Sequence, residues 1–188
     1  MWLPALIIPV MMVLELIKPD QNVTNNISVS IFGWLYVIIP FAMINMLPFI
    51  MGEFHYELPL GFFLILWIND TGAYFTGKYL GKRKLYPAVS PNKTWEGLFG
   101  GIVLSFIVGF ALSTLFDIIR LADWLVVALI VAVFANLGDL FESLIKRSFN
   151  IKDSGNIIPG HGGVLDRFDG LFLSLPVLMF YFKFVLEL

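Results

Sequence analysis

No cysteine occurs among the 188 residues, and His55 and His161 are the only histidines. A disulfide framework and a thiolate metal site are therefore excluded, although the lack of cysteine says nothing about compartment. Charge is also sparse, at 14% of residues, against 59% hydrophobic residues and a mean hydropathy of +0.86. Soluble domains are nearer half apolar and about a quarter charged. The composition excludes that class and points to a polytopic membrane protein. The start lacks a basic segment and a small-residue cleavage site, so Met1-Trp2-Leu3 does not open a usual signal peptide. Either the first helix begins outside or an upstream part precedes it. No internal repeat, low-complexity tract or second domain is visible, so residues 1–188 are expected to form a single integral membrane domain.

What is present is a series of apolar runs. At about 20 residues per span, the length allows about six spans joined by short loops. The predicted fold is all-α, a transmembrane helix bundle. The expected spans are residues 1–17, 29–50, 59–80, 94–116, 122–146 and 170–188. A polar loop is expected over 20–28 and a basic loop over 81–93. With six spans, the loops after the first, third and fifth share one side. That side carries Lys18, Lys78, Lys82, Arg83, Lys84, Lys93, Lys146, Arg147, Lys152 and Arg167, and the other only Arg120 and Lys183. The positive-inside rule then puts the N-terminus outside and both charged loops in the cytoplasm.

Three groups of residues offer chemistry. Asp70, Tyr74 and Lys78 are spaced i, i+4, i+8 and share a helix face. They would form either an internal Asp–Lys pair or part of a site, since ionisable groups in a membrane are expensive unless used. Gly77 and Gly81 have a spacing that allows close helix packing, a weak signal by itself. In Ser90-Pro91-Asn92-Lys93-Thr94-Trp95-Glu96-Gly97, Thr94 is suited to cap a helix with Glu96 in its first turn. That helix end, beside Lys93 and Ser90, is either an anion cradle or a capped helix whose basic neighbours only set topology. The Lys82–Lys84 cluster is read mainly as a topology signal.

The third group is the densest. Asn136, Asp139, Ser143 and Lys146 fall on one helical face with Glu142 at its flank, ahead of a loop holding Gly160-His161-Gly162-Gly163 and Asp166. These groups are hard oxygen donors and cations, which suit Mg²⁺ held by one or two carboxylates together with substrate phosphates. The glycines would let backbone N–H groups approach phosphate oxygens. His161 is either an ordinary loop histidine or part of this site. Carboxylates, basic residues and glycine turns at a membrane face suggest phosphoryl or nucleotidyl transfer to a lipid, chemistry that depends on positioning and charge neutralisation.

The run Ser143-x-Ile145-Lys146-Arg147, Lys152-Asp153-x-Gly155 and Pro159-Gly160-His161-Gly162-Gly163-Val164-x-Asp166-Arg167-Phe168-Asp169 closely resembles the signature of the phosphatidate cytidylyltransferases, or CDP-diacylglycerol synthases. The segments Asn69–Gly81 and Ser90–Gly97 are similar to other motifs of that family, so the resemblance covers about residues 60–188, the expected catalytic part. Family members are commonly longer at the N-terminus, and this chain resembles their C-terminal two-thirds. The resemblance implies transfer of CMP from CTP to phosphatidate in a bacterial inner membrane, giving CDP-diacylglycerol and pyrophosphate. It implies Mg²⁺ at Asp139 and Asp166, with a monovalent cation such as K⁺ alongside. Lys146, Arg147, Lys152 and Arg167 would bind phosphate, with Ser90 and Lys93 as further contacts. Asp70, Glu142, Ser143, Asp153, His161, Gly162, Gly163 and Asp169 would orient ligands or basic groups. The expected partners are CTP, phosphatidate and membrane lipid, with a homodimer as the assembly to test for and no nucleic acid. The competing readings are a CTP-dependent lipid kinase, a cytidylyltransferase for another lipid phosphate, and an ion-conducting protein using Asp70, Asp139 and Asp166.

Overall fold

The structure is a computed structural model that describes residues 9–10, 13–14, 16–17, 22–151, 154–155, 163 and 165–187. The chain divides into two compact units, Met1–Phe41 and Ala42–Leu188. The described residues of the first predicted span are helical, and the rest of that span lies outside the described residues.

The first unit holds most of α1 (Val23–Met46). This helix starts six residues before the predicted 29, so the expected polar loop over 20–28 is partly helix. Backbone and side-chain bonding explains how a polar stretch joins the helix. Asn26 N–H donates to the Asn22 carbonyl at 3.0 Å, and Ser28 Oγ–H donates to the Thr24 carbonyl at 2.7 Å. Ser and Thr hydroxyls can satisfy themselves on the preceding turn in this way.

In the second unit a 3-10 turn at Leu47–Phe49 is followed by Gly52 at φ +90°, a left-handed conformation that suits glycine. Next come α2 (Glu57–Leu80), a hairpin of β1 (Lys84–Tyr86) and β2 (Ser90–Thr94), α3 (Trp95–Leu115), α4 (Leu121–Ser148) and α5 (Asp169–Phe184). The hairpin departs from the expected irregular loop and adds a small antiparallel sheet to an otherwise helical protein. The boundaries of α2, α3 and α4 fall within two residues of the hydropathy limits. Among the described residues four helices are long and apolar enough to cross a membrane, so the protein is an integral membrane helix bundle. The expected sixth span is shorter than predicted. Its helix has 16 residues, about 24 Å at 1.5 Å per residue, against a hydrocarbon core of about 30 Å.

Small residues bring α2 and α3 together. Gly97, Gly101, Ser105 and Gly109 form the buried stripe of α3, while Phe99, Val103, Ile107 and Phe110 point outward. A Cβ on Gly97 would come within 2.9 Å of the Ala73 carbonyl, and one on Gly101 within 2.9 Å of the Asn69 carbonyl. Gly77 meets Gly97 in the same seam, as its spacing allowed. With backbones this close, the helices gain dispersion contact that larger side chains would block. Towards the other end of the bundle, fully buried Trp124 of α4 fills the space left by Gly61 of α2. The seam and this pin fix α2, α3 and α4, which carry the polar groups described next.

Candidate active site

The hairpin and the start of α3 are tied down first. Thr94 caps α3 as expected, its Oγ1 accepting the Gly97 N–H at 3.1 Å. Glu96 turns back to accept the backbone N–H groups of Lys82 and Arg83, at 3.1 Å for each shorter contact. The hairpin is thus fastened at both strands, and β2 carries Lys93 to α4.

There Lys93 Nζ lies 2.7 Å from Asp139 Oδ2 and donates to the Asn136 carbonyl at 3.1 Å. Asp139 also accepts from Ser143 Oγ at 3.3 Å, as their shared face predicted. Behind this pair is a polar relay. Fully buried Asn69 accepts from Asn136 Nδ2 at 3.3 Å and donates from its own Nδ2 to Asp70 at 3.3 Å. A buried amide is costly unless bonded, so the relay holds the Asn136 turn in register. These groups open onto a cavity of about 540 Å³ that is also lined by Tyr74, Lys78 and Lys84.

A second cluster lies farther along α4. Lys146 Nζ is 3.0 Å from Glu142 Oε2 and 2.6 Å from Asp166 Oδ1. Asp166 Oδ2 accepts from Ser154 N at 2.9 Å, Ser154 Oγ at 2.8 Å and Gly163 N at 2.7 Å. Burial pushes the Asp166 carboxyl pKa up, but the Lys146, Ser154 and Gly163 donors outweigh it and hold the group well below the usual carboxylate range. The end of α4 makes this possible. Asn150 takes φ 57° and its N–H meets the Arg147 carbonyl, while Ile151 N–H meets the Lys146 carbonyl, both at 3.0 Å. This Schellman-type stop reverses the chain, and Arg147 Nη1 braces it by donating to the Ile151 carbonyl at 3.0 Å. Gly163 fits closely, since a Cβ there would collide with Ser154 Oγ.

The structure therefore brings Lys93, Asp70, Asp139 and Ser143 together, and joins Lys146, Glu142 and Asp166 with Gly163. Asp169 opens α5 and accepts from Gly170 N–H at 2.6 Å, and the charges of Asp139, Glu142 and Asp70 act on it. Arg167 is exposed in the 3-10 turn Leu165–Arg167. Ser90 pairs with Tyr86 in the hairpin and does not line the cavity. Lys152, Asp153, His161 and Gly162 lie outside the described residues. The internal Asp70–Lys78 pair is not formed. Lys78 Nζ instead contacts Tyr74 Oη at 3.5 Å, and Asp70 bonds Asn69. Lys84, read as a topology charge, lines the cavity, and Asn69 was not among the expected site residues. Its place in the apolar run beside Asp70, at the head of the motif-like segment Asn69–Gly81, could have indicated it.

The donor set suits a hard divalent cation. Asp70, Asp139, Glu142 and Asp169 act electrostatically on one another in a connected set that Glu142 extends to Asp166, and among the five only Asp139, Glu142 and Asp166 are paired with lysine. Five ionised carboxylates would exceed the two ammonium groups paired with them, those of Lys93 and Lys146. Buried Glu142 Oε1 has no hydrogen-bond partner among the described residues. Also among these residues, no three Asp, Glu or His side chains are grouped to hold an ion by themselves. An ion here would rely on one or two carboxylates, water and substrate phosphates, as Mg²⁺ commonly does.

The chain is similar to known proteins. The sequence model of the "Cytidylyltransferase family" matches residues 1–185. A phosphatidate cytidylyltransferase of Staphylococcus epidermidis is 51% identical over 118 residues, covering 62% of this chain and 45% of the relative. That of Bacillus subtilis is 49% identical over 122 residues, covering 62% and 44%. The Staphylococcus aureus protein of the same name is 52% identical over 118 residues, covering 62% and 45%. The chain thus matches less than half the length of these relatives.

Proposed function

The chain belongs to the cytidylyltransferase family, and we propose that it transfers CMP from CTP to phosphatidate, forming CDP-diacylglycerol and pyrophosphate. The observation that carries this reading is the Lys93–Asp139 pair at a 540 Å³ cavity, on the same helix as the Lys146–Asp166 cluster. It supplies cations for phosphates and carboxylates for a metal in one polar region of a membrane protein. Names of relatives that act on phosphatidate add support.

A phosphatidate phosphate oxygen would attack the α-phosphorus of CTP. A new P–O bond forms, the bond between the α-phosphorus and the bridging oxygen breaks, and pyrophosphate leaves with that oxygen. The nucleophile is already anionic, so no strong general base is needed. Lys93, Lys146, Arg147 and Arg167 would orient the phosphates and offset charge that builds on the leaving group. Lys152 joins that set from the sequence pattern. Asp139 and Asp166 would hold Mg²⁺, with K⁺ as an accompanying ion. When bound, Mg²⁺ supplies Lewis-acid neutralisation of the triphosphate. Ser143 orients Asp139, and the Asn69–Asn136 relay fixes the carbonyl that receives Lys93.

The excess of Lys and Arg in alternate loops supports a cytoplasmic site and an outside N-terminus, in a bacterial inner membrane. Labelled CTP tests the reaction. Incubation with phosphatidate should place an α-phosphorus label, and no γ-phosphorus label, in the lipid product. γ-label in lipid would identify a kinase instead, and label in neither case would overturn the proposal.

A further inference from the structure

We propose that Lys78 and Lys84 form the subsite that receives the phosphate monoester of the lipid substrate, distinct from the Lys93–Asp139 pair. This rests on the cytidylyl-transfer reading above. Both lysines line the same cavity as Asp139 and Lys93. Their pairing differs from that of the other two lysines. Lys93 and Lys146 are ion-paired with carboxylates, whereas among the described residues Lys78 and Lys84 have no carboxylate partner. Two uncompensated ammonium groups beside one cavity attract a doubly charged anion.

The surroundings favour the lipid over the nucleotide. Lys78 Nζ lies 5.5 Å from the Tyr74 ring centroid and 5.7 Å from that of Tyr79. Tyr74, Phe75 and Tyr79 are exposed on α2, and the Phe75 and Tyr79 rings stack at 6.4 Å. Tyrosine rings at the end of a spanning helix mark headgroup depth, where a lysine stem runs along apolar surface and its ammonium reaches polar groups. Lys84 approaches from the hairpin, where it pairs in register with Thr94, next to Lys93. A phosphate at Lys78 and Lys84 would therefore sit at the level of the lipid headgroups and share one cavity with the Lys93–Asp139 pair. Arg147 and Arg167, by contrast, are exposed at the far end of α4 and in the following loop.

The test uses the full chain in mixed micelles, varying phosphatidate and CTP separately for Lys78→Ala, Lys84→Ala, their arginine counterparts and a Lys82→Ala control. Each alanine variant should raise KM for phosphatidate about tenfold while KM for CTP stays within about twofold, from loss of one charge-assisted contact. Arginine should restore most of the loss, and Lys82→Ala should behave as wild type. A rise confined to KM for CTP, or no change in either constant, would overturn the assignment. A parallel binding assay separates this from failure of the reaction itself. If the wild-type chain transfers no CMP, short-chain phosphatidate should still bind more tightly than phosphatidylcholine of equal chain length. The double alanine variant should lose that preference, and an unchanged preference would overturn the subsite.

Discussion

The two ion-paired clusters on α4 use the same residue types and differ in how tightly the acid is held. Asp139 has two side-chain contacts, Lys93 and Ser143, and its side chain is 39% exposed towards a cavity. Asp166 is 12% exposed and both of its oxygens are engaged, one by Lys146 and the other by three donors from Ser154 and Gly163. The first arrangement can exchange partners when a ligand arrives. The second also ties Ser154 and Gly163 to one acid. The comparison teaches that one acid on a helix bundle can stand open to a cavity while another has both oxygens taken by nearby donors.

The sharpest way to break the contrast is Asp166→Asn. Transfer should fall by at least ~10²-fold, as when a group that stabilises developing charge is lost. Limited proteolysis should also cut after Ser148 faster than in wild type, because donors worth ~1 kcal/mol each lose a charged acceptor. Lys93→Ala comes next. It removes the Asp139 partner and should reduce transfer by ~10-fold or more, with loop cleavage unchanged. If loop cleavage rises as much as in Asp166→Asn, the clusters are not separable.

Acid should produce a smaller effect confined to the loop. Folding depresses the Asp166 pKa below the ordinary aspartate value of about 3.9. Its contribution is therefore fully present above about pH 4 and is lost as pH falls through the lower folded value. Protease resistance of the loop should be flat from pH 7 to about pH 5 and decline only below about pH 4. A decline centred near neutrality would contradict the pairing.

Much of this was legible in the sequence, and for physical reasons. Hydropathy located α2, α3 and α4 closely because lipid-facing stretches cannot hide their composition. Thr94 and Glu96 were readable because capping is local. The start of α1 was not, since Asn22, Thr24 and Ser28 satisfy their hydrogen bonds on helical turns although the stretch reads as loop. The hairpin escaped because Lys84 and Thr94 pair across a turn that carries no strong strand pattern. The long-range contacts were hardest. Nothing local links Lys93 to Asp139, or Asn69 to Asn136, until the glycine seam sets the distance between helices. Helical spacing did place Asp139 with Ser143, and the motif placed Asp166 with Lys146. It did not indicate that Lys84 would turn into the cavity.

The most direct test of the central claim is transfer of α-labelled phosphate from CTP to phosphatidate by Asp139→Asn at saturating Mg²⁺. Membrane insertion and loop protection are checked on the same sample. The account predicts a folded, inserted protein with the protease protection of wild type and no detectable lipid labelling. Substantial labelling by that variant would contradict the role given to Asp139.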